Sequence, residues 1–138
     1  MYSDITVNYL SVVVAAVVAF IIGWAWYGAL FKKQWMALAD MPAQPTPEMK
    51  KMMMPSMVIG FVATLISAYV LAHFSGVWNV SDASGALQLG FWVWLGFMMP
   101  LNIGPALWEM KSWKFAVLNG AHSLVATLAM ALIVGLWK

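Results

Sequence analysis

The sequence predicts an all-α integral membrane protein, a bundle of four transmembrane helices. Its 138 residues are 64% apolar and only 9% charged, with a mean hydropathy of +0.84, whereas soluble domains are about half apolar and about a quarter charged. Long stretches of the chain carry no charged residue, and tryptophans and tyrosines gather at their ends, as they do at membrane–water interfaces. These observations together make the bilayer the expected solvent.

Each charge-free stretch is long enough for one membrane-spanning helix. A helix needs roughly 20 apolar residues to cross a hydrocarbon core of ~30 Å. The stretches lie between Asp4 and Lys32, Lys51 and Asp82, Asp82 and Glu109, and Lys114 and Lys138. We therefore expect a single domain, residues 1–138, with spans near 7–31, 55–78, 86–108 and 115–137.

The lysines predict how the chain crosses the membrane. Loop 32–54 contains four lysines and residues 109–114 contain two more, whereas the loop between the second and third spans has none. Because lysine-bearing loops tend to stay on the cytoplasmic side, we expect both of these loops in the cytoplasm and both termini outside it.

Loop 32–54 is rich in proline and methionine. Its prolines interrupt any helix, and a new helix is expected to begin near Thr46 with Pro47 in its first turn. Methionines 52–54 follow. They could form a soft-metal or peptide-binding surface, but methionines beside a span more often cover the interface, so we assign them no ligand.

Two short sequence matches are compatible with an internal repeat of two hairpins, although matches of this length are weak evidence in so apolar a composition. Residues 29–31 (Ala-Leu-Phe) resemble residues 106–108 (Ala-Leu-Trp), and Val-Ala-Thr-Leu occurs at both 62–65 and 125–128. Since both hairpins would begin outside the cytoplasm, the repeat would be parallel, related by an axis along the membrane normal.

Small residues predict which helices touch, because helices in lipid associate through close packing and interhelical hydrogen bonds. They recur at every fourth position of the second span, at Ser56, Gly60, Thr64, Ala68, Ala72 and Gly76. Ala15, Ala19 and Gly23 do the same on the first span, so these two helices should pack tightly. One face of the fourth span should turn inward, since its polar atoms find no partner in lipid; it carries Asn119, Ser123, Thr127, Ala131 and Gly135.

A bundle of this size has little interior, so we expect a homo-oligomer, with a dimer favoured. The aromatic residues of the third span provide a candidate interface, although contact with lipid explains them equally well. They are Phe91, Trp92, Trp94 and Phe97.

A polar layer inside the predicted spans is the candidate ligand-binding site. It comprises Trp24, Tyr27, Asn102, Asn119, His122 and Ser123. Counted along the helices, most of these residues fall roughly 6 to 11 Å below the cytoplasmic interface, a depth at which polar groups are costly and face the protein interior. Asn119 and His122 share one helical face, which Ser123 extends. Pro100 and Pro105 should kink the third span near Asn102, which favours a cavity.

This layer has two interpretations. In the functional one, His122 is a titrating or hydrogen-bonding group in a cavity that the other five residues line. In the structural one, Asn119 and His122 clamp the fourth helix to its neighbours at about 1 kcal/mol per hydrogen bond, without any ligand.

Several classes of function are disfavoured. With no cysteine the chain has no thiolate site, and its lysines do not form the basic stripe of a nucleic-acid binder. His73 lies near the outer interface with Asp82 and Asp4, but their spacing matches no metal site. Glu109 beside Lys111 is expected to be solvated. We therefore expect no cofactor, no metal and no catalytic residue, and we assign no enzyme activity.

The chain resembles a bacterial membrane family, domain of unknown function 1761. The resemblance rests on Gly23-Trp24-Ala25-Trp26-Tyr27, on residues 31–35 (Phe-Lys-Lys-Gln-Trp) and on residues 119–122 (Asn-Gly-Ala-His). It covers nearly the whole chain, although the proline-rich loop departs from the family pattern. It implies a four-span protein of the bacterial inner membrane without an assigned activity.

Three hypotheses of function remain. The first is a module that binds or transports a lipid, a quinone or another small hydrophobic molecule around His122 and Asn119. The second is a structural or accessory subunit that docks on a larger membrane complex and has no ligand of its own. The third, an enzyme with His122 as general base, ranks last because no second catalytic group is visible within reach.

Overall fold

The computed structural model describes residues 5–42 and 44–138, and within these residues every regular element is a helix. Asp4, an expected span boundary and weak metal-ligand candidate, lies outside them. Helix α1 (Tyr9–Ala25) continues as a first π-turn (Trp26–Leu30) and is followed by a short α2 (Lys32–Leu38) and a long α3 (Pro47–Val77). Helix α4 (Ala83–Val93) runs through a second π-turn (Trp94–Met98) into α5 (Met99–Trp108), and α6 spans Trp113–Leu136.

Four continuous helical segments in the described part of the chain are long and apolar enough to cross a membrane. They are Tyr9–Leu30, Pro47–Val77, Ala83–Trp108 and Trp113–Leu136. The predicted all-α bundle of four transmembrane helices is confirmed, and the protein is a multi-pass membrane protein.

Polar side chains fix where the long helices begin, by accepting hydrogen bonds from backbone N–H groups that have no partner within the helix. Asn8 caps α1, Asp82 caps α4 and Ser112 caps α6. Thr46 caps α3 through the N–H of Met49 at 3.2 Å. The expected helix start near Thr46 is therefore confirmed.

Helix α3 extends well beyond the predicted second span. Its 31 residues begin at Pro47 rather than near residue 55, because the charged turn with Glu48 is helical although it does not belong to an apolar span. At ~1.5 Å per residue the helix is about 46 Å long, so its first turns project past a ~30 Å hydrocarbon core. The predicted loop 32–54 thus contains both the start of α3 and the whole of α2.

The core is built from small side chains shared by α1, α3 and α6. Ala15 of α1 and Ala68 of α3 are completely buried, and they belong to one cluster with Val134 of α6. The small-residue stripe of α3 packs on α1 only over part of its length. Gly60 faces Phe20, whereas Ser56 is exposed. The expected contact between the first two spans is therefore limited to the part of α3 after Ser56.

Helix α6 lies at the centre of the bundle and contacts α1, α3, α4 and α5. Its polar and small face is turned inward, as expected, with Thr127, Ala131 and Gly135 buried. Because every neighbour packs on this helix, the side chains in its first half, near Lys114, can contact residues of both α1 and α4–α5. That is where the candidate site forms.

Candidate functional site

The two π-turns occur at the same short motif, Trp-x-Trp-x-Gly. It reads Trp24-Ala25-Trp26-Tyr27-Gly28 on the first transmembrane helix and Trp92-Val93-Trp94-Leu95-Gly96 on the third. In both copies the π-turn begins at the second tryptophan, while the first tryptophan is turned outward, with 72% of Trp24 and 63% of Trp92 exposed. The structural correspondence between the two halves is therefore clearest at this motif, not at the segments that the sequence matches singled out.

Proline chemistry accounts for the second π-turn. Pro100 has no N–H and its ring would clash with the carbonyl four residues earlier, that of Gly96, so the helix widens just before it. The predicted distortion of the third span thus lies at Trp94–Met98, before Asn102 rather than at it. No proline explains the first π-turn, which closes with a hydrogen bond from the Phe31 N–H to the Trp26 carbonyl at 2.9 Å.

Tyr27, Asn119 and His122 form one half of the site, between the first π-turn and α6. The Tyr27 hydroxyl donates to Asn119 Oδ1 at 2.6 Å, and the Tyr27 and His122 rings lie with their centroids 4.8 Å apart. On its other side His122 Nε2 packs against Gly23, where a Cβ would lie only 3.3 Å away. A glycine at position 23 therefore leaves the space that the imidazole occupies.

Trp94, Asn102 and Ser123 form the other half, between the second π-turn, α5 and α6. The Trp94 indole N–H donates to the Gly120 carbonyl at 2.9 Å and to Ser123 Oγ at 3.0 Å. Asn102 Nδ2 donates to the same Ser123 hydroxyl at 3.2 Å. The polar atoms of this half thus satisfy one another within the protein, as buried polar groups in a membrane must.

Two buried polar atoms of the first half have no such partner. Trp26 Nε1 and His122 Nε2 are both buried and make no hydrogen bond to any described residue, although the two rings lie 6.1 Å apart. The two corresponding tryptophans therefore differ. The indole N–H of Trp94 is hydrogen-bonded to α6, whereas that of Trp26 has no partner among the described residues. An unpaired buried donor costs about 1 to 3 kcal/mol of stability.

The structure brings together five of the six residues of the predicted polar layer and leaves out one. Tyr27, Asn119 and His122 meet at the first π-turn, and Asn102 meets Ser123 at α5. Trp24 is exposed and points away from α6, against Gly28. Its place is taken by Trp26, which was not among the residues predicted for the layer.

Trp94 also differs from its sequence interpretation. It was grouped with the outward-facing aromatic residues of the third span, but its indole points inward to Gly120 and Ser123. The Trp-x-Trp-x-Gly repeat is the signal in the sequence that could have identified both Trp26 and Trp94. Among the described residues no group of three potential metal ligands occurs. The Trp26 indole and the His122 imidazole can form hydrogen bonds to a ligand, and aromatic rings surround them.

The Tyr27–Asn119 hydrogen bond should be measurable as a coupling energy. In a double-mutant cycle with Tyr27→Phe and Asn119→Leu, followed by unfolding in detergent, we expect a coupling of about 0.6 kcal/mol, the average for hydrogen bonds between transmembrane helices, with an upper limit of about 1.7 kcal/mol. Strictly additive losses would contradict the bond. Tyr69→Phe is the control, because Tyr69 lies on α3 beside Tyr9, at the end of the bundle opposite to Tyr27. It should not couple to Asn119→Leu.

Comparisons with known proteins place the whole helical part of the chain in one family. A search of curated proteins found no match, and a search of solved structures found none either. The family model described as "Protein of unknown function (DUF1761)" matches residues 10–135. That match extends from the first turn of α1 to the last turn of α6, confirming the resemblance seen in the sequence. The chain therefore belongs to the DUF1761 family.

Proposed function

We propose that this membrane protein binds a small lipid-like molecule through a hydrogen-bonding oxygen at Trp26 and His122. The observation that carries the proposal is the pair of unpartnered atoms, Trp26 Nε1 and His122 Nε2. The indole N–H is a donor only, whereas the imidazole nitrogen donates or accepts according to its tautomer. A carbonyl, as in a quinone or an ester, or a hydroxyl oxygen has the chemistry to pair with both.

The surroundings of the two atoms favour an apolar molecule with such a group. The rings of Trp26, Tyr27 and Phe31 lie around them, with Trp26 and Phe31 centroids 4.7 Å apart. A ligand site in a helical bundle is typically an apolar surface with a few polar groups that set orientation. The π-turn at Trp26–Leu30 is a further feature that is frequent at functional sites.

The proposal includes the membrane and the assembly in which the site works. We propose a location in the bacterial inner membrane, which the family resemblance implies, with both termini outside the cytoplasm, which the lysine distribution favours. We also propose a homodimer, since Trp92, Phe97 and Leu101 of the third transmembrane helix form an exposed apolar face. In a dimer this face would lie on the partner helix rather than on lipid.

Native mass spectrometry from mild detergent tests the binding proposal, because one spectrum reports the number of subunits and any retained molecule. We expect a dimer with a discrete extra mass. Trp26→Phe and His122→Phe remove the two nitrogen atoms while keeping an aromatic ring, and should abolish the extra mass. His73→Phe is the control, since the Nε2 of His73 lies 3.2 Å from the Tyr69 hydroxyl at the other end of the bundle.

A bare protein, or an extra mass that all three variants retain equally, would contradict the binding proposal. A protein without any extra mass, isolated together with another membrane protein, would favour the accessory-subunit hypothesis instead.

A further inference from the structure

A groove at the lysine-bearing end of the bundle lies between α2 and α6. Phe31 has a non-helical backbone (φ −124°), and it turns the chain so that α2 packs back on the start of α6. The groove between them has a volume of about 420 Å³, within the range of small-molecule sites. Its lining residues are Phe31, Gln34, Leu38, Trp113, Lys114, Val117 and Leu118.

The lining is mainly apolar and includes two polar side chains. Phe31, Leu38, Val117 and Leu118 offer hydrocarbon surface, whereas Gln34 and Lys114 add an amide and an ammonium group. Lys114 lies in the first turn of α6, where a transmembrane helix is expected to reach the interface. The groove therefore matches an amphiphile whose chain lies toward the bilayer and whose head lies at the interface.

The charged side chains around the groove favour an amphiphile with an anionic head. The loops and helix ends on this side carry six lysines and three carboxylates. Asp40 is paired with Lys111 at 3.6 Å, while Lys114 has no carboxylate within 4 Å among the described residues. No carboxylate lines the groove, so the ammonium group of a zwitterionic head would find no counter-ion there. Lysines at a membrane surface attract anionic lipids.

We propose that the groove between α2 and α6 binds an anionic phospholipid, with one acyl chain along the apolar lining and the phosphate at Lys114. Phe31 borders both this groove and the Trp26–His122 cluster, but neither Trp26 nor His122 lines the groove, so the polar contacts of the two sites are different. Failure of the function proposed above would leave it intact.

The test measures lipid retention by native mass spectrometry of the full chain in mild detergent, after equilibration with phosphatidylglycerol or phosphatidylcholine of identical acyl chains. We expect several-fold more bound phosphatidylglycerol. Lys114→Gln should lower that retention about fivefold, the contribution of one lysine near an anionic surface, and leave phosphatidylcholine unchanged. Lys50→Gln is the control, because Lys50 is an exposed lysine at the same end of the bundle that does not line the groove.

Equal retention of the two lipids, or an equal loss in Lys114→Gln and Lys50→Gln, would overturn the proposal. Val117→Trp should fill the groove and reduce retention of both lipids; unchanged retention in this variant would place the lipid elsewhere. His122→Phe should leave phosphatidylglycerol bound, and its loss there would assign the lipid to the cluster instead. Displacement by equimolar palmitate would assign the groove to a free fatty acid, which also overturns the proposal.

Discussion

Replacing Gly90 with leucine is expected to lower the free energy of unfolding by about 1 to 3 kcal/mol, the usual cost of overpacking a tight core. Gly90 lies where α4 crosses α6. A Cβ at this position would lie 3.1 Å from the Ala131 Cβ and 3.4 Å from the Leu128 Cα. The Ala131 Cβ is bonded directly to the backbone and cannot be moved by a side-chain rotation, so α4 and α6 would have to move apart to relieve this contact.

Gly96→Leu is the matched control, because a Cβ on Gly96 meets no atom within 4 Å and the residue is exposed. Both substitutions replace a helical glycine with the same better helix former, so the difference between them isolates the contact with α6. Thermal unfolding in detergent, followed by circular dichroism, measures it. Equal melting temperatures for the two variants would show that α4 and α6 do not cross at Gly90.

The number of spans could be predicted from the sequence because it depends on summed properties. A helix that crosses the membrane needs about 20 predominantly apolar residues, so single polar exceptions do not alter the result. The start of α3 was predictable for a local reason, since Thr46 and Pro47 are a cap and a first-turn residue. Helix α2 was missed because seven residues with two lysines carry no span signal and are held by packing on α6.

Residue counting could group the site residues but could not give the direction of each side chain. Counting residues from the interface places Trp24 and Tyr27 in the same layer, yet says nothing about which face of the helix each occupies. The π-turn inserts a residue into the helix and changes that face just after Trp24. The shared direction of Asn119, His122 and Ser123 could be predicted, because all three lie on the uninterrupted α6 and their spacing alone puts them on one face.

The two corresponding tryptophans should respond differently to the same substitution. Trp94→Phe removes an indole N–H that donates to Gly120 and Ser123, and it is expected to destabilise the protein by about 1 kcal/mol more than Trp26→Phe. Both changes remove the same ring volume from a half-buried position, so the loss of packing largely cancels in the comparison. Unfolding of the two variants in detergent, with lipid removed, gives the difference.

The size of that difference shows whether the indole N–H of Trp26 is unpaired or hydrogen-bonded in the purified protein. If Trp26 Nε1 has no partner, its removal relieves an unpaired buried donor and Trp26→Phe is the milder change. If Trp26→Phe costs as much as Trp94→Phe, the N–H of Trp26 is bonded in the purified protein. A retained molecule would then add a discrete mass to the wild-type protein that is absent from Trp26→Phe, whereas a bound water would not survive desolvation. The pair of variants thus tests whether the indole N–H of Trp26 is hydrogen-bonded to a ligand, as the indole N–H of Trp94 is hydrogen-bonded to α6.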